Sequence, residues 1–176
     1  MKQHLINVYI FLIFTSGSIF SQVTSEQIHY GASSLSMAAS DIAIPKTSWS
    51  AFVNSAGIVD QQGLTFVASS QSHFSQDFLS HSLFGVQFKN SKYGSFGISF
   101  ENSSVDYSGK NLATETAIGV HQGISLRSDR NSSFSFGYGL KSYTVDYGSS
   151  AGPSGDGSDG IELGSLNAFG LDVSFL

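Results

Sequence analysis

Most of the chain alternates between apolar residues and small or polar residues with a period of two. Phe84, Val86 and Phe88, for example, alternate with a glycine, a glutamine and a lysine. Such alternation places successive side chains on opposite faces of a β-strand. We therefore predict an all-β fold of about six antiparallel strands joined as hairpins. The strands centre on residues 64–71, 84–89, 95–101, 118–127, 134–141 and 168–175.

The two faces of these strands differ in chemistry. One face carries Phe, Ile, Val, Leu and Tyr, and the other carries Gly, Ser and scattered charged residues. A tilted strand needs about 9–11 residues to cross a bilayer, and a lipid-facing barrel turns its apolar side outward. The pattern favours a partial, up-and-down transmembrane β-barrel. A secreted or periplasmic all-β sandwich that acts as a binding module is the alternative.

Two details of the alternation allow more than one interpretation. Tyr107, Tyr143 and Tyr147 lie towards strand ends, where an aromatic girdle at the lipid headgroups is expected, although strands favour tyrosine in any case. The apolar phase also slips between Leu140 and Tyr143. Either the strand leaves the membrane at that point, or a β-bulge changes its phase.

Residues 1–21 have the form of a secretory signal peptide. Lys2 precedes an apolar run over residues 5–14, and small residues lead to a cleavage point that we place between Ser21 and Gln22. The apolar run is too short for a membrane-spanning helix, which needs about 20 residues. We expect the mature chain to be exported.

Residues 22–62 form a second, distinct segment. A stretch of small residues predicts a short helix or a compact irregular segment that ends before Pro45, because the residue before a proline avoids the α region. Asn54, Ser55, Ala56 and Gly57 give a turn signal. We expect residues 22–62 to form an N-terminal plug-like segment and residues 63–176 to supply the barrel strands.

Composition narrows the functional classes. Charged residues make up 12% of the chain, and the net charge is −5, so no basic surface for nucleic acid is predicted. The absence of cysteine excludes disulfides, thiolate metal sites and cysteine nucleophiles. The sequence has no G-x-S-x-G elbow, P-loop or dinucleotide fingerprint. We predict neither an enzyme nor a bound cofactor.

The N-terminal segment resembles the entry of FadL-like outer-membrane barrels, and most closely that of the PorV/PorQ-type barrels associated with type IX secretion. In those families a motif close to Asn-Pro-Ala-Gly-Leu leads into the first strand. Asn54, Ala56 and Gly57 match this plug motif, Ile58 is conservative, and Ser55 replaces the proline. The residues 139–143 and 171–173 are similar to later strands of the family.

This resemblance implies a location and a role. It implies an outer-membrane protein that serves as a channel or transporter, or as a membrane component associated with type IX secretion. The residues 31–57 would lie inside the lumen and gate it. The implied partners are outer-membrane lipid and other secretion or envelope proteins.

Six strands are fewer than the eight of the smallest single-chain bacterial barrels, and lipid does not tolerate open sheet edges. We expect the chain to be the N-terminal portion of a longer barrel. Assembly with other copies is a second possibility. A third is that residues 169–175 form the terminal strand of an outer-membrane protein.

Two sets of residues are candidate sites. The first is a set of side chains on the small-residue face that are predicted to face the lumen, either as paired structural groups or as selectivity residues. They are Lys89, Glu101, His121, Arg127, Lys141 and Asp172. The second is the loop Asp156–Glu162, whose oxygen donors could bind Ca²⁺ but whose composition is more typical of an exposed hairpin loop. The histidines lack metal-binding spacing, and no metal site is predicted.

Overall fold

In the described part of the computed structural model, four short helical turns precede six β-strands. The structure describes residues 30–38, 40–44, 47–72, 77–90, 92–107, 109–130, 132–148 and 164–176, so the predicted signal peptide lies outside the described residues. The helical turns are α1 (Gly31–Ser36), η1 (Ser40–Ala43), α2 (Ser50–Val53) and η2 (Ser55–Asp60). The strands are β1 (Leu64–Ser72), β2 (Leu79–Asn90), β3 (Gly94–Tyr107), β4 (Lys110–Ser128), β5 (Ser133–Tyr147) and β6 (Gly164–Phe175).

The strands form one antiparallel sheet in the order β1-β2-β3-β4-β5-β6. Each strand pairs with the next one along the chain, so the prediction of an all-β, antiparallel up-and-down fold is confirmed. Within the described ranges β1 and β6 do not pair with each other, and the sheet therefore is not closed and has two free edges. None of the helices in the described part of the chain is both long enough and apolar enough to span a membrane.

The pairing shows why the apolar phase slips after Leu140. Leu140 pairs with Val120, and the register continues without a shift through Tyr143, which pairs with Ala117. The irregularity between β4 and β5 lies between Ser125 and Arg127 instead. A bulge at the slip is therefore the wrong explanation, and the strand keeps its phase while the residues on each face change.

The change of residues forms two rows that run across all six strands. One row, here called the apolar belt, contains only apolar side chains: Phe66, Val86, Ile98, Val120, Leu140 and Leu171. A second row, here called the polar collar, lies on the same face four residues away on each strand, towards one end of the sheet. It contains only hydroxyl and amide side chains: Ser70, Ser82, Asn102, Thr116, Thr144 and Asn167. Side-chain hydrogen bonds link neighbours in the collar, from Asn102 to Thr116 at 3.0 Å and from Thr144 to Asn167 at 2.8 Å.

The tyrosine girdle is not supported at two of its three positions. Tyr143 and Tyr147 pair with Ala117 and Ala113, on the face opposite the apolar belt, because they are an odd number of residues from Leu140. Side chains on that face cannot form a ring around the belt. The alternative interpretation, in which strands simply favour tyrosine, fits these two residues.

The N-terminal helical turns pack on the glycine-serine face of the sheet, which is the face opposite the belt. Ile58 is fully buried, and Phe52 packs with Val67 of β1 in the same cluster. A Cβ atom built on Gly137 would lie 2.2 Å from the backbone nitrogen of Ala56. The backbone of η2 can approach β5 this closely only because residue 137 has no side chain.

Burial is consequently the reverse of that in a soluble domain. Gln87 and His121, on the glycine-serine face, are 0% and 1% exposed, whereas Val120 and Leu140, on the belt, are 57% and 61% exposed. A water-soluble sheet buries its apolar face against another layer. Here the small and polar face is covered, and no described residue forms a layer over the belt.

The contact at Gly137 gives a first testable prediction. Replacement of Gly137 by valine should displace η2 from the sheet and lower the free energy of unfolding by about 1–3 kcal/mol, because the new side chain overlaps the backbone of Ser55 and Ala56. Denaturant unfolding followed by the fluorescence of Trp49, the single tryptophan, measures both effects. Gly164→Val is the control, since a Cβ atom there meets nothing within 4 Å. Equal losses in the two variants would contradict the packing described here.

Candidate functional site

Asn54 fixes the point where the N-terminal segment turns into η2. Its Oδ1 accepts a hydrogen bond from the Ala56 backbone nitrogen at 3.0 Å, which caps the new helical turn. Its Nδ2 donates to the backbone oxygen of Ile42 at 2.9 Å and to that of Phe175 at 3.3 Å. One side chain therefore joins η1, η2 and the end of β6.

The other two residues of the predicted plug motif lie directly against the sheet. Ala56 is fully buried, and its backbone nitrogen also donates to Ser174 Oγ of β6 at 3.0 Å. A Cβ atom on Gly57 would lie 2.9 Å from Ser50 Oγ, so a larger residue would force α2 and η2 apart. Small residues at these two positions are what the local packing requires.

His121 connects the N-terminal segment to the middle of the sheet. Its Nδ1 lies 3.0 Å from Ser55 Oγ of η2, and its Nε2 lies 2.9 Å from Ser99 Oγ of β3. A neutral imidazole donates through one nitrogen and accepts through the other, so both serine hydroxyls find a partner in either tautomer. The result is a fully buried chain of three polar side chains between η2, β4 and β3.

Glycines on the neighbouring strands make room for this ring. Gly97 and Gly139 pair with His121 on either side. A Cβ atom on Gly139 would lie 2.4 Å from His121 Nδ1, and one on Gly119 would lie 2.5 Å from Nε2. The sequence signal for this arrangement was the position of His121 on a face made mainly of glycine and serine, but the serine partners depend on the register and were not predicted.

The Ser55–His121 pair does not complete a hydrolase site. In a serine hydrolase the second imidazole nitrogen faces a carboxylate, and free backbone N–H groups stabilise the oxyanion. Here that nitrogen faces Ser99, and the Ala56 N–H next to Ser55 is already engaged by Asn54 and Ser174. This geometry favours a role for Ser55 and His121 in attaching the N-terminal segment to the sheet rather than a role in catalysis.

Lys141 and Asp172 form an ion pair beside this attachment. Lys141 Nζ lies 3.0 Å from an Asp172 carboxylate oxygen, and the lysine side chain is largely buried whereas the aspartate is half exposed. Glu101 also interacts electrostatically with Lys141. The structure thus brings four of the six residues predicted to face the lumen onto the same part of the glycine-serine face.

The other two residues of that set lie elsewhere. Lys89 is exposed near the end of β2. Arg127 follows the bulge in β4, which places it opposite Phe134 rather than on the glycine-serine face, and it forms an exposed ion pair with Asp129 at 2.6 Å. Simple alternation assigned Arg127 to the glycine-serine face because it takes no account of the bulge, which shifts the phase of the strand at this point.

Two further polar contacts were not anticipated from the sequence. Ser34 Oγ donates to Asp41 Oδ1 at 3.0 Å within the N-terminal segment. Gln87 Nε2 donates to the backbone oxygen of Ser48 and so adds a bond between β2 and that segment. Among the described residues no group of three or more histidine or acidic side chains is arranged to hold a metal ion. The candidate calcium loop Asp156–Glu162 lies outside the described residues.

No family model, curated protein or solved structure matches this chain. The features of this chain that bear on its function are the chemistry of the two sheet faces and the residues that join the N-terminal segment to the sheet.

The buried hydrogen-bond chain gives a second prediction. Ser55→Ala should lower the free energy of unfolding by about 1 kcal/mol, and His121→Phe by about 2–4 kcal/mol, because the latter leaves two buried hydroxyls without their partner. The double variant should lose less than the sum of the two, by about 1 kcal/mol. Denaturant unfolding of the four proteins measures this coupling.

Ser36→Ala is the matched control for that cycle, since Ser36 is exposed and its hydroxyl donates only to the nearby Ser33 backbone oxygen. It should change the free energy of unfolding by less than about 0.5 kcal/mol. Strict additivity of Ser55→Ala and His121→Phe would contradict a direct bond between the two side chains.

Proposed function

We propose that this protein is an outer-membrane β-barrel component whose described sheet is part of the barrel wall. The proposed role is a channel or transport function, or a membrane function associated with type IX secretion. The observation that carries the proposal is the apolar belt. Its side chains are exposed on five of the six strands, Val86 on β2 is half-buried, and the residues behind it on the opposite face of the central strands are buried. In a bilayer the hydrocarbon tails solvate such a face, whereas in water it is an exposed apolar patch of a kind that soluble monomers rarely show.

The polar collar supports the same arrangement. It lies four residues from the belt along each strand, about 13 Å at the usual rise per residue. A change from entirely apolar to entirely polar side chains over this distance is expected where strands emerge from hydrocarbon into headgroups and water. In this proposal β2 to β5 continue beyond the membrane surface.

Connection lengths support one orientation of the proposed barrel wall. At the end of the sheet away from the collar, β2 and β3 are joined by three residues and β4 and β5 by four. At the collar end β1 and β2 are joined by six residues, β3 and β4 by two, and β5 and β6 by sixteen. Outer-membrane barrels have short periplasmic turns and longer extracellular loops, so we place the collar on the extracellular side.

The N-terminal segment takes the place of a plug in this proposal. It covers the glycine-serine face, which would line the lumen, and Asn54 and Ser55 fasten it to β6 and β4. The free edges of β1 and β6 must pair with other strands in lipid, because unpaired backbone groups there are too costly. Further polypeptide or further copies of this chain would supply those strands.

Spin labels test which medium contacts the belt. The chain contains no cysteine, so single cysteines at Val86 and Ile98 on the belt, and at Ser82 and Asn102 on the collar, can be labelled without background. In reconstituted membranes the belt labels should be accessible to oxygen and protected from a water-soluble nickel complex, and the collar labels should show the reverse. The protein should also remain in membranes after a carbonate wash.

Two other outcomes would overturn the membrane assignment. Belt labels protected from both reagents in a monodisperse, detergent-free protein would indicate the core of an all-β sandwich. Belt labels open to the nickel complex would indicate a face in water.

Arginine substitutions on β4 give a fourth prediction. Val120→Arg places a charge on the belt and should lower the free energy of unfolding from a bilayer by about 2–4 kcal/mol, the range for the membrane midplane. Thr116→Arg lies on the same face, four residues away on the collar, and should cost no more than about 1 kcal/mol, as near the interface. Reversible unfolding in the presence of lipid vesicles measures both values. Equal costs at the two positions would contradict the proposed membrane boundary.

A further inference from the structure

A cavity lies between the N-terminal segment and the free edge of the sheet at β6. Its volume is about 740 Å³, and its walls include Tyr30, Asp41, Ile42, Phe52, Lys141 and Asp172. Sites for small organic molecules usually measure about 300–1,000 Å³ and combine apolar walls with a few polar groups. The cavity is therefore of the size and composition expected for a small-molecule site.

One charged group in the wall lacks a partner. Asp41 is 2% exposed, and its Oδ1 accepts a hydrogen bond from Ser34 Oγ. Its Oδ2 is buried and has no hydrogen-bond partner within the part of the chain that the structure describes. An ionised carboxylate can only accept hydrogen bonds, and burial of an unpaired carboxylate oxygen is costly. Asp41 also lines the cavity, and a donor bound there that met this oxygen after a turn of the carboxyl group would remove this cost.

Among the described residues of the cavity wall, the other two charged side chains are matched to each other. Lys141 and Asp172 form an ion pair at 3.0 Å, so the lysine ammonium is already neutralised. Asp41 leaves the wall with an excess of negative charge. An anionic ligand is disfavoured by this balance, and a ligand with a positively charged donor is favoured.

Aromatic rings complete the recognition chemistry. Tyr30 and Phe52 both line the cavity, and their ring centroids are 5.4 Å apart. Aromatic faces attract organic cations and also pack against apolar bodies. Ile42 and Val53 add aliphatic surface to the same wall.

We propose that this cavity binds a small organic amine, with the protonated amino group on Asp41 and its apolar body against Tyr30 and Phe52. The residues that carry the proposal lie in the N-terminal segment and at the edge of the sheet. It therefore goes beyond the proposed barrel function and does not depend on insertion into a membrane.

The test compares three probes of similar size on the full chain, purified in a nonionic detergent or, if it needs none, in buffer. They are 2-phenylethylamine, the neutral 2-phenylethanol and the anionic 3-phenylpropanoate. Calorimetric titration should show saturable binding of the amine, at least tenfold weaker binding of the alcohol, and no binding of the acid. The fluorescence of Trp49 gives a second readout, because its ring centroid lies 5.5 Å from that of Phe52.

Asp41→Asn should weaken amine binding at least tenfold without changing the affinity for the alcohol. Asp77→Asn is the matched control, since Asp77 is exposed and outside the cavity wall, and it should change neither affinity. Ala43→Trp should weaken binding of both probes, because the indole occupies part of the cavity, and it keeps the test decisive if Asp41→Asn does not fold.

Equal affinity for amine and alcohol, full amine binding by Asp41→Asn, or full binding by Ala43→Trp would each overturn the proposal. None of these outcomes bears on the spin-label test, so the failure of the ligand site and the failure of the membrane assignment are distinguishable.

Discussion

The packing of the N-terminal backbone against the glycine-serine face is the constraint on which the rest of the structure depends. At Gly137 and Gly123 the sheet offers no side chain, and the main chain of η2 fills the space: a Cβ atom on Gly123 would lie 2.8 Å from the Ser55 backbone oxygen. Because this contact occupies one face of the sheet, the apolar belt is left on the other. This contact determines which face of the sheet is covered, and Ser55 of η2 also lines the cavity.

The boundary between belt and collar adds a second, independent constraint. The row of Val120 is apolar on every strand, and the row of Thr116 is polar on every strand. A single exposed apolar residue has no special meaning, because much of any protein surface is apolar. Six neighbouring strands whose side chains change character at the same level are what the proposed membrane boundary predicts. The side-chain hydrogen bonds from Asn102 to Thr116 and from Thr144 to Asn167 satisfy part of the collar's hydrogen-bonding capacity from strand to strand.

The sequence predicts the fold better than it predicts the site. Alternation in the residues 84–89 and 118–127 identified the strands and their order because period two depends only on neighbouring residues. The same alternation underestimated β4, which begins at Lys110, because Thr114 and Thr116 replace apolar residues there while the strand continues. It also misplaced Arg127, because a bulge changes phase without a clear signal in the residues themselves.

The site depends on contacts that are distant in sequence. His121 was singled out from the face on which it lies, but its partner Ser55 is 66 residues away and belongs to a helical turn whose position on the sheet is set by glycines on other strands. Asp41 gave no local signal at all, because its importance comes from burial and from an unpartnered oxygen. Pairings of this kind follow from register and packing, which a single sequence does not specify.

Directional polar contacts also help to hold the N-terminal segment to the sheet, and this has a consequence for the cavity. Asn54, Ser55 and Ala56 form hydrogen bonds to β6 and β4, and Gln87 bonds the backbone of Ser48. Hydrogen bonds fix one orientation but contribute only about 1 kcal/mol each. Ser55 lies both in the cavity wall and on His121. Any molecule that enters the cavity therefore approaches the Ser55 hydroxyl, which attaches the segment to the sheet. Ser55 is thus the residue through which a molecule in the cavity can affect that attachment.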